Sequence, residues 1–209
     1  MGDHGIATSR LHEGPVHSAA KTRITDAAVD LFARYGVGGT SLQMIATRIG
    51  VTKAAVYHQF NTKQEIVIAA AEAELARLEV VVSAAEAEPS RALARDRLVT
   101  GMVDLAVAHR RTVSTILNDP VIARFYAEHD SFRSVMDRMS AILVEDSGHE
   151  ARVSTALLTA AISGTVTHPL VARLDDETLR RQLEQLARRL LPAEDIIEGQ
   201  KSHTSEQVI

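Results

Sequence analysis

Apolar positions in the N-terminal third of the chain recur at helical rather than strand spacing. From Ser18 onward, Ile24, Ala27, Ala28, Leu31, Phe32 and Tyr35 fall on one face of a 3.6-residue helix, which Gly36 stops. After the Gly38-Gly39 pair, Thr40 and Gln43 stand in capping-box spacing, and Leu42, Ile45, Ala46 and Ile49 form the stripe of a short second helix ended by Gly50. Thr52 caps a third helix, with Val51 placed to pack on Val56. Thr62 and Glu65 cap a long alanine-rich fourth helix that reaches Glu86. Two short helices parted by about three residues including a glycine have the spacing of a helix-turn-helix.

Beyond Pro89 the pattern is Leu, Val, Ala and Met at helical spacing, punctuated by Asn118-Asp119-Pro120, Ser147-Gly148 and His168-Pro169. It predicts helices over 91–109, 111–118, 121–145, 150–168 and 176–190. With no alternating strand pattern, phosphate-cradling glycine loop or repeat, the expected fold is all-α: a three-helix unit over 18–65 and a helical body over 66–192. Residues 1–17, with three glycines and a proline, read as a disordered arm, and 193–209 as a flexible tail.

Composition narrows the function. A chain of 209 residues that is 45% hydrophobic can bury a sizeable core. The absence of cysteine removes disulfides, thiolate zinc sites and cysteine nucleophiles. No apolar run approaches the ~18 residues of a membrane span, and the N-terminus lacks an apolar signal region, so a cytoplasmic protein with no membrane partner is expected. The nine histidines form no His-Glu-x-x-His or Glu-x-x-His pair; Glu145 and His149 straddle Ser147-Gly148. Neither an enzyme nor a bound metal or cofactor is expected.

A net charge of −4 argues against nucleic-acid binding only as an average. Between Ser18 and Glu65 six basic residues (Lys21, Arg23, Arg34, Arg48, Lys53, Lys63) face three acidic ones (Asp26, Asp30, Glu65), a local +3. A basic head on an acidic body suits a small DNA-facing unit. Thr40 and Thr52 sit at helix starts whose free N–H groups favour phosphates. Lys53 is placed to reach a phosphate or a guanine edge, and Ala54 and Ala55 are small enough to let the helix sit deep against a thymine methyl. Tyr57, His58 and Lys63 offer donors to phosphate oxygens.

Three stretches of this head are specific in their order: Thr22-Arg-Ile-Thr-Asp-Ala-Ala-Val-Asp-Leu-Phe-Ala-Arg-Tyr-Gly36, Thr40-Ser-Leu-Gln-Met-Ile-Ala46, and Gly50-Val-Thr-Lys-Ala-Ala-Val-Tyr-His-Gln-Phe60 running into Thr62-Lys-Gln-Glu65. They resemble the DNA-binding domain of the tetracycline-repressor (TetR) family over about 45 residues; the rest of the chain agrees only in length and helical character. The resemblance implies a regulator that binds a double-stranded operator as a homodimer and responds to a small-molecule effector, with 18–65 as its DNA-binding domain and 66–192 as its ligand-binding and dimerisation domain. It places Thr40, Ser41, Thr52, Lys53, Ala54, Tyr57, His58 and Lys63 at DNA-contacting positions.

The same resemblance implies that the last two long helices pair across a dimer axis. Leu179, Leu183, Leu186 and Leu190 form an apolar seam on one, and Ala156, Ala160 and Gly164 a small-residue strip on the other. Met102, Phe125, Tyr126, Phe132, Met136, Met139 and His168 are candidates to line a ligand cavity, since Met adapts to irregular shapes and Tyr and His supply orienting hydrogen bonds. Core packing accounts for the same residues. A DNA-binding dimer regulated without a small molecule, or an activator, remain alternatives to an effector-released repressor.

Overall fold

The computed structural model describes residues 19–117, 120–144 and 148–191, so the arm, the tail and the Asn118-Asp119 turn lie outside it. These residues form ten α-helices and one 3-10 turn, with no strand among them: α1 (Ala19–Gly39), α2 (Leu42–Ile49), α3 (Lys53–Gln59), α4 (Lys63–Glu86), α5 (Arg91–Ala108), α6 (Arg110–Leu117), α7 (Pro120–Glu128), α8 (Asp130–Leu143), α9 (His149–Thr167), the turn Pro169–Val171 and α10 (Asp176–Leu190). The all-α expectation holds.

Two hydrophobic clusters organise the chain. The first gathers Ile24, Ala28, Leu31 and Phe32 of α1, Leu42, Ile45 and Ala46 of α2, Val56 and Phe60 at α3, and Ile66 to Ala71 of α4. The second gathers Leu75, Val82 and Ala85 of α4 with α5, α8, α9 and α10. One helix therefore belongs to both cores, and the head's boundary falls inside α4 rather than at its start. The head also takes Ile122 of α7 into its core, with Phe125 and Tyr126 packed against it.

Local signals explain most helix ends. Ser41, Thr52, Thr62, Ser90 and Asp175 each accept a backbone N–H at the start of a helix. At α4 the Glu65 carboxylate reaches back to the Asn61 N–H at 2.9 Å, closing a box around the first turn. Gly50 ends α2 at φ 71°, a left-handed conformation that glycine adopts without a Cβ penalty.

Four sequence expectations change. Tyr35 is 56% exposed rather than part of the buried stripe, because the chain breaks helical geometry at Gly36 (φ 72°) one residue later. The cap of α2 is Ser41, which accepts from the Met44 N–H at 3.2 Å; Thr40 is buried, and its hydroxyl donates to the Gly36 carbonyl at 2.9 Å. The helix expected over 121–145 is two, α7 and α8, parted at His129 in extended backbone. Leu179 and Leu183 point into the body core with Ala187, leaving Leu186 and Leu190 as the outward part of the seam.

The body is tied together around its core by ion pairs. Arg138 of α8 grips both Glu86 carboxylate oxygens (2.8 and 2.6 Å) and the Ser83 hydroxyl at the end of α4. Arg188 of α10 reaches Asp96 and Thr100 of α5, and Arg180 reaches Asp104. Gly101 lets α4 and α5 approach: a Cβ there would stand 2.6 Å from Cγ1 of Val81.

Candidate functional site

Val56, wholly buried, anchors α3 in the head, so the other side of that short helix faces outward. Thr52, Lys53, Ala54, Ala55, Tyr57 and His58 are all exposed on it. The Lys53 ammonium lies 5.4 Å from the centroid of the Tyr57 ring, which holds the cation one turn along the helix by cation–π attraction.

An open cleft of about 500 Å³ brings together Thr40, Ser41, Lys53, Tyr57 and Lys63, with Gln43, Asn61, Thr62 and Gln64 beside them. The N-terminal ends of α2 and α4 flank this cleft, α3 supplying Lys53 and α4 Lys63. Free N–H groups, dipole ends and an ammonium on one surface are a combination suited to phosphate oxygens. His58 lies apart, in a second depression with Arg23, Ala55 and Gln59. Gln43, Asn61 and Gln64 were not among the candidates from sequence; their only signal was polarity at the helix starts.

Two candidates have intramolecular work. Lys63 donates to the carbonyls of Val37 (2.7 Å) and Gly38 (3.2 Å), so its ammonium closes the C-terminal end of α1 with two of its three N–H groups. Thr40 spends its hydroxyl on the Gly36 carbonyl and is buried, so the helix start is presented by Ser41.

In the body, a cavity of about 340 Å³ opens between α4, α5, α6, α7, α8 and α9. Of the seven candidates, Met102, Tyr126, Phe132 and Met136 line it, and the rings of Tyr126 and Phe132 stack at 4.4 Å. The other three do not. Met139 is fully buried core; Phe125 packs on the head and on the His129 ring; His168 accepts the Leu170 N–H at 3.2 Å as cap of the 3-10 turn.

The wall also contains Glu74, which sequence reading missed. Its signal was there: in the helix Glu74 falls four residues after Ala70 and four before Leu78, within the apolar face. The Oε1 atom accepts from Arg77 at 2.7 Å and stands 3.2 Å from Nδ1 of His109. The Oε2 atom is buried and has no hydrogen-bond partner among the described residues. Burial pushes the carboxyl from its usual 4.5 up to about 7, against the opposing pull of Arg77 and with some help from Asp26 of α1. Burial and the neighbouring Arg77 cation lower His109, and burial, then Glu74, raises the Tyr126 phenol to about 12.

The outer face of the last two long helices is apolar and uncovered. Val153 and Leu157 of α9 are more than half exposed, as is Leu186 of α10, with Leu190 close behind. Ala156 and Gly164 are exposed on the same α9 face, where a Cβ at Gly164 would meet nothing within 4 Å; Ala160, also exposed, lines the body cavity as well.

Comparison with known proteins fits this arrangement. The profile for bacterial regulatory proteins of the tetR family matches residues 24–70, which are the helices of the head plus the shared first turns of α4. Over 49 residues the chain is 45% identical to the HTH-type transcriptional regulator SrpR of Pseudomonas putida, a stretch that covers 23% of each protein. The match spans little of the curated relatives' lengths, 23% of SrpR and 37% of TtgW from the same species. Solved structures extend the likeness to the fold of the body. A transcriptional regulator from Aquifex aeolicus superposes with a TM-score of 0.66 at 16% identity, covering 82% of this chain and 99% of that one. The regulator AibR, solved with isovaleryl coenzyme A and operator DNA, gives 0.63 at 18% identity over 80% and 97%.

The head has the arrangement of a helix-turn-helix, with α2 and α3 parted by the turn at Gly50. The head is similar to that of bacterial regulatory proteins of the tetR family, and the chain as a whole shares its fold with solved regulators. Among the described residues no helix is long and apolar enough to cross a membrane, and no group of three or more His, Asp or Glu is placed to hold a metal.

Proposed function

We propose that this regulator binds a palindromic operator as a homodimer, represses from it, and is released by a small, largely apolar effector held in the body cavity. The observation that carries the reading is α4: its first turns complete the head's core, and residues further along it, Leu75 and Leu78, line the cavity. A ligand that prefers one seating of α4 biases the head through a single rigid element. The cavity favours this over a dimer regulated without a small molecule. AibR, of the same fold, was solved with both a ligand and operator DNA.

The dimer follows from the uncovered face of Val153, Leu157, Leu186 and Leu190 beside Ala156, Ala160 and Gly164. An apolar stripe is a liability on a monomer and is buried when it pairs across a two-fold axis. Two heads so joined would present their α3 helices to successive major grooves about 34 to 36 Å apart.

The test is sedimentation and operator titration of the parent and of Gly164→Leu. A monomer accommodates the new side chain, since nothing stands near it; a dimer packed on that face is overpacked by about 1 to 3 kcal/mol. The reading expects a parent dimer whose DNA affinity falls steeply with salt, and a variant shifted toward monomer. A parent monomer, or a variant dimerising like the parent, rejects this interface.

A further inference from the structure

We infer that the body cavity recognises an effector carrying one protonated amine on an apolar frame, with Glu74 as the residue that selects the charge. This deepens the sensor reading above and rests on it.

The cavity wall is almost wholly apolar or weakly polar: aliphatic side chains from α4, α5 and α6, the stacked Tyr126 and Phe132, Met102 and Met136, and small hydroxyls of α9. Such a lining pays no desolvation penalty when an apolar ligand enters it. Glu74 is the exception, and it is incompletely satisfied. Arg77 and His109 both address Oε1, while Oε2 is buried without a hydrogen-bond partner among the described residues. A buried carboxylate oxygen without a donor is costly, and a ligand that supplies one recovers that cost on binding.

The surrounding charges decide what kind of donor fits. The groups that face Glu74 are Arg77 on its own helix, His109 at the end of α5, Asp26 on α1 and Tyr126 on α7. Tyr126 remains a neutral phenol at physiological pH, and His109 is disfavoured as a cation by burial and by Arg77. That leaves two carboxylates against one guanidinium, which is itself partly solvated and hence screened. An incoming ammonium meets a net negative site, whereas a carboxylate is repelled and a hydroxyl gains a hydrogen bond without the charge.

The test uses the full chain and three probes of one shape: 4-pentylbenzylamine, 4-pentylbenzyl alcohol and 4-pentylbenzoate, titrated calorimetrically at pH 8, where Glu74 is ionised. The amine should bind about tenfold more tightly than the alcohol, and the benzoate most weakly. Glu74→Gln should bring the amine down to the alcohol's affinity and leave the alcohol within about threefold of its parent value. At pH 5.5, with Glu74 protonated, the amine's advantage should vanish in the parent.

An alcohol or benzoate that binds as tightly as the amine overturns the charge-selecting role of Glu74 and leaves the sensor reading standing. So does a Gln variant that keeps the preference. Failure of all three probes to bind counts against the cavity as a ligand site and overturns both. If Glu74→Gln does not fold, the ranking of the probes on the parent still decides.

Discussion

Head and body are both built of helices packed through the same kinds of apolar residue, yet they expose opposite things. The head closes its core around Ile45, Val56 and Ile66 and presents polar groups outward: Ser41, Lys53, Tyr57 and the starts of α2 and α4. The body closes its core incompletely, keeping a cavity at Met102 and Met136 and an uncovered face at Leu157 and Leu186. In the proposed reading, the DNA surface is what points out of a small, fully packed unit, and the small-molecule receptor is what a larger unit fails to fill.

The sharpest way to separate the two is to cut one without touching the other. Lys53→Ala removes an exposed cation from α3, so operator affinity should fall by about 1 to 3 kcal/mol while the melting temperature and the binding of cavity ligands stay near parent values. Fluorescence anisotropy on operator and random duplexes, beside thermal melts, checks this. Equal loss on both duplexes would assign Lys53 to phosphate alone.

The body has its own signature in pH. Glu74 titrates near 7 when folded and near 4.5 when unfolded, so the folded state holds its proton more tightly. Ionisation of Glu74 therefore costs no stability below about pH 4.5, takes its toll progressively up to about 7, and costs the full amount above. Glu74→Gln should match the parent at pH 4 and be more stable by about 1 to 3 kcal/mol at pH 8, an increment seen in urea titrations at the two pH values. A constant difference between pH 4 and 8 would contradict the burial of this carboxyl.

A smaller effect resolves the start of α2. Ser41→Ala deletes the true cap and should cost about 1 kcal/mol, whereas Gln43→Ala, at the position that Thr40 capping would have made the reciprocal partner, should be nearly neutral. Smallest of all, Arg124→Ala removes an exposed pair with Glu128 and should shift stability by at most about 0.5 kcal/mol, within the scatter of a melt.

The elements that could be read from sequence are those whose causes are local. Helices α2, α3 and α4 begin at a serine or threonine and carry their apolar stripes within two turns, and α10 was predicted to the residue over 176–190. The misreadings have tertiary causes. Thr40 and Ser41 are both good caps, and only the Gly36 break, which offers its carbonyl to Thr40, decides between them. Leu179 and Leu186 share a heptad seam, but α5 packs against one side of α10 and divides it. Met139 and Met136 are three residues apart on α8, and the placement of neighbouring helices puts one in the core and the other on the cavity. Glu74 was passed over because α4 carries four other glutamates, Glu65, Glu72, Glu79 and Glu86, and only its spacing from Ala70 and Leu78 sets it on the apolar face.

The length of α4 has a mechanical side. Its 24 residues, at ~1.5 Å per residue, make a rod about 36 Å long. Pivoted near Glu86, where Arg138 clamps it to α8, a tilt of about 5° swings its Lys63 end by about 3 Å, roughly the length of one hydrogen bond. In the proposed homodimer, the same arc repeated with the opposite sense would change the separation of the two heads by about 6 Å, nearly two base-pair steps of duplex. Under the proposed sensor reading, an effector that nudged Leu75 or Leu78 by an ångström would be amplified at the far end, with the gearing set by where along the rod it pushed.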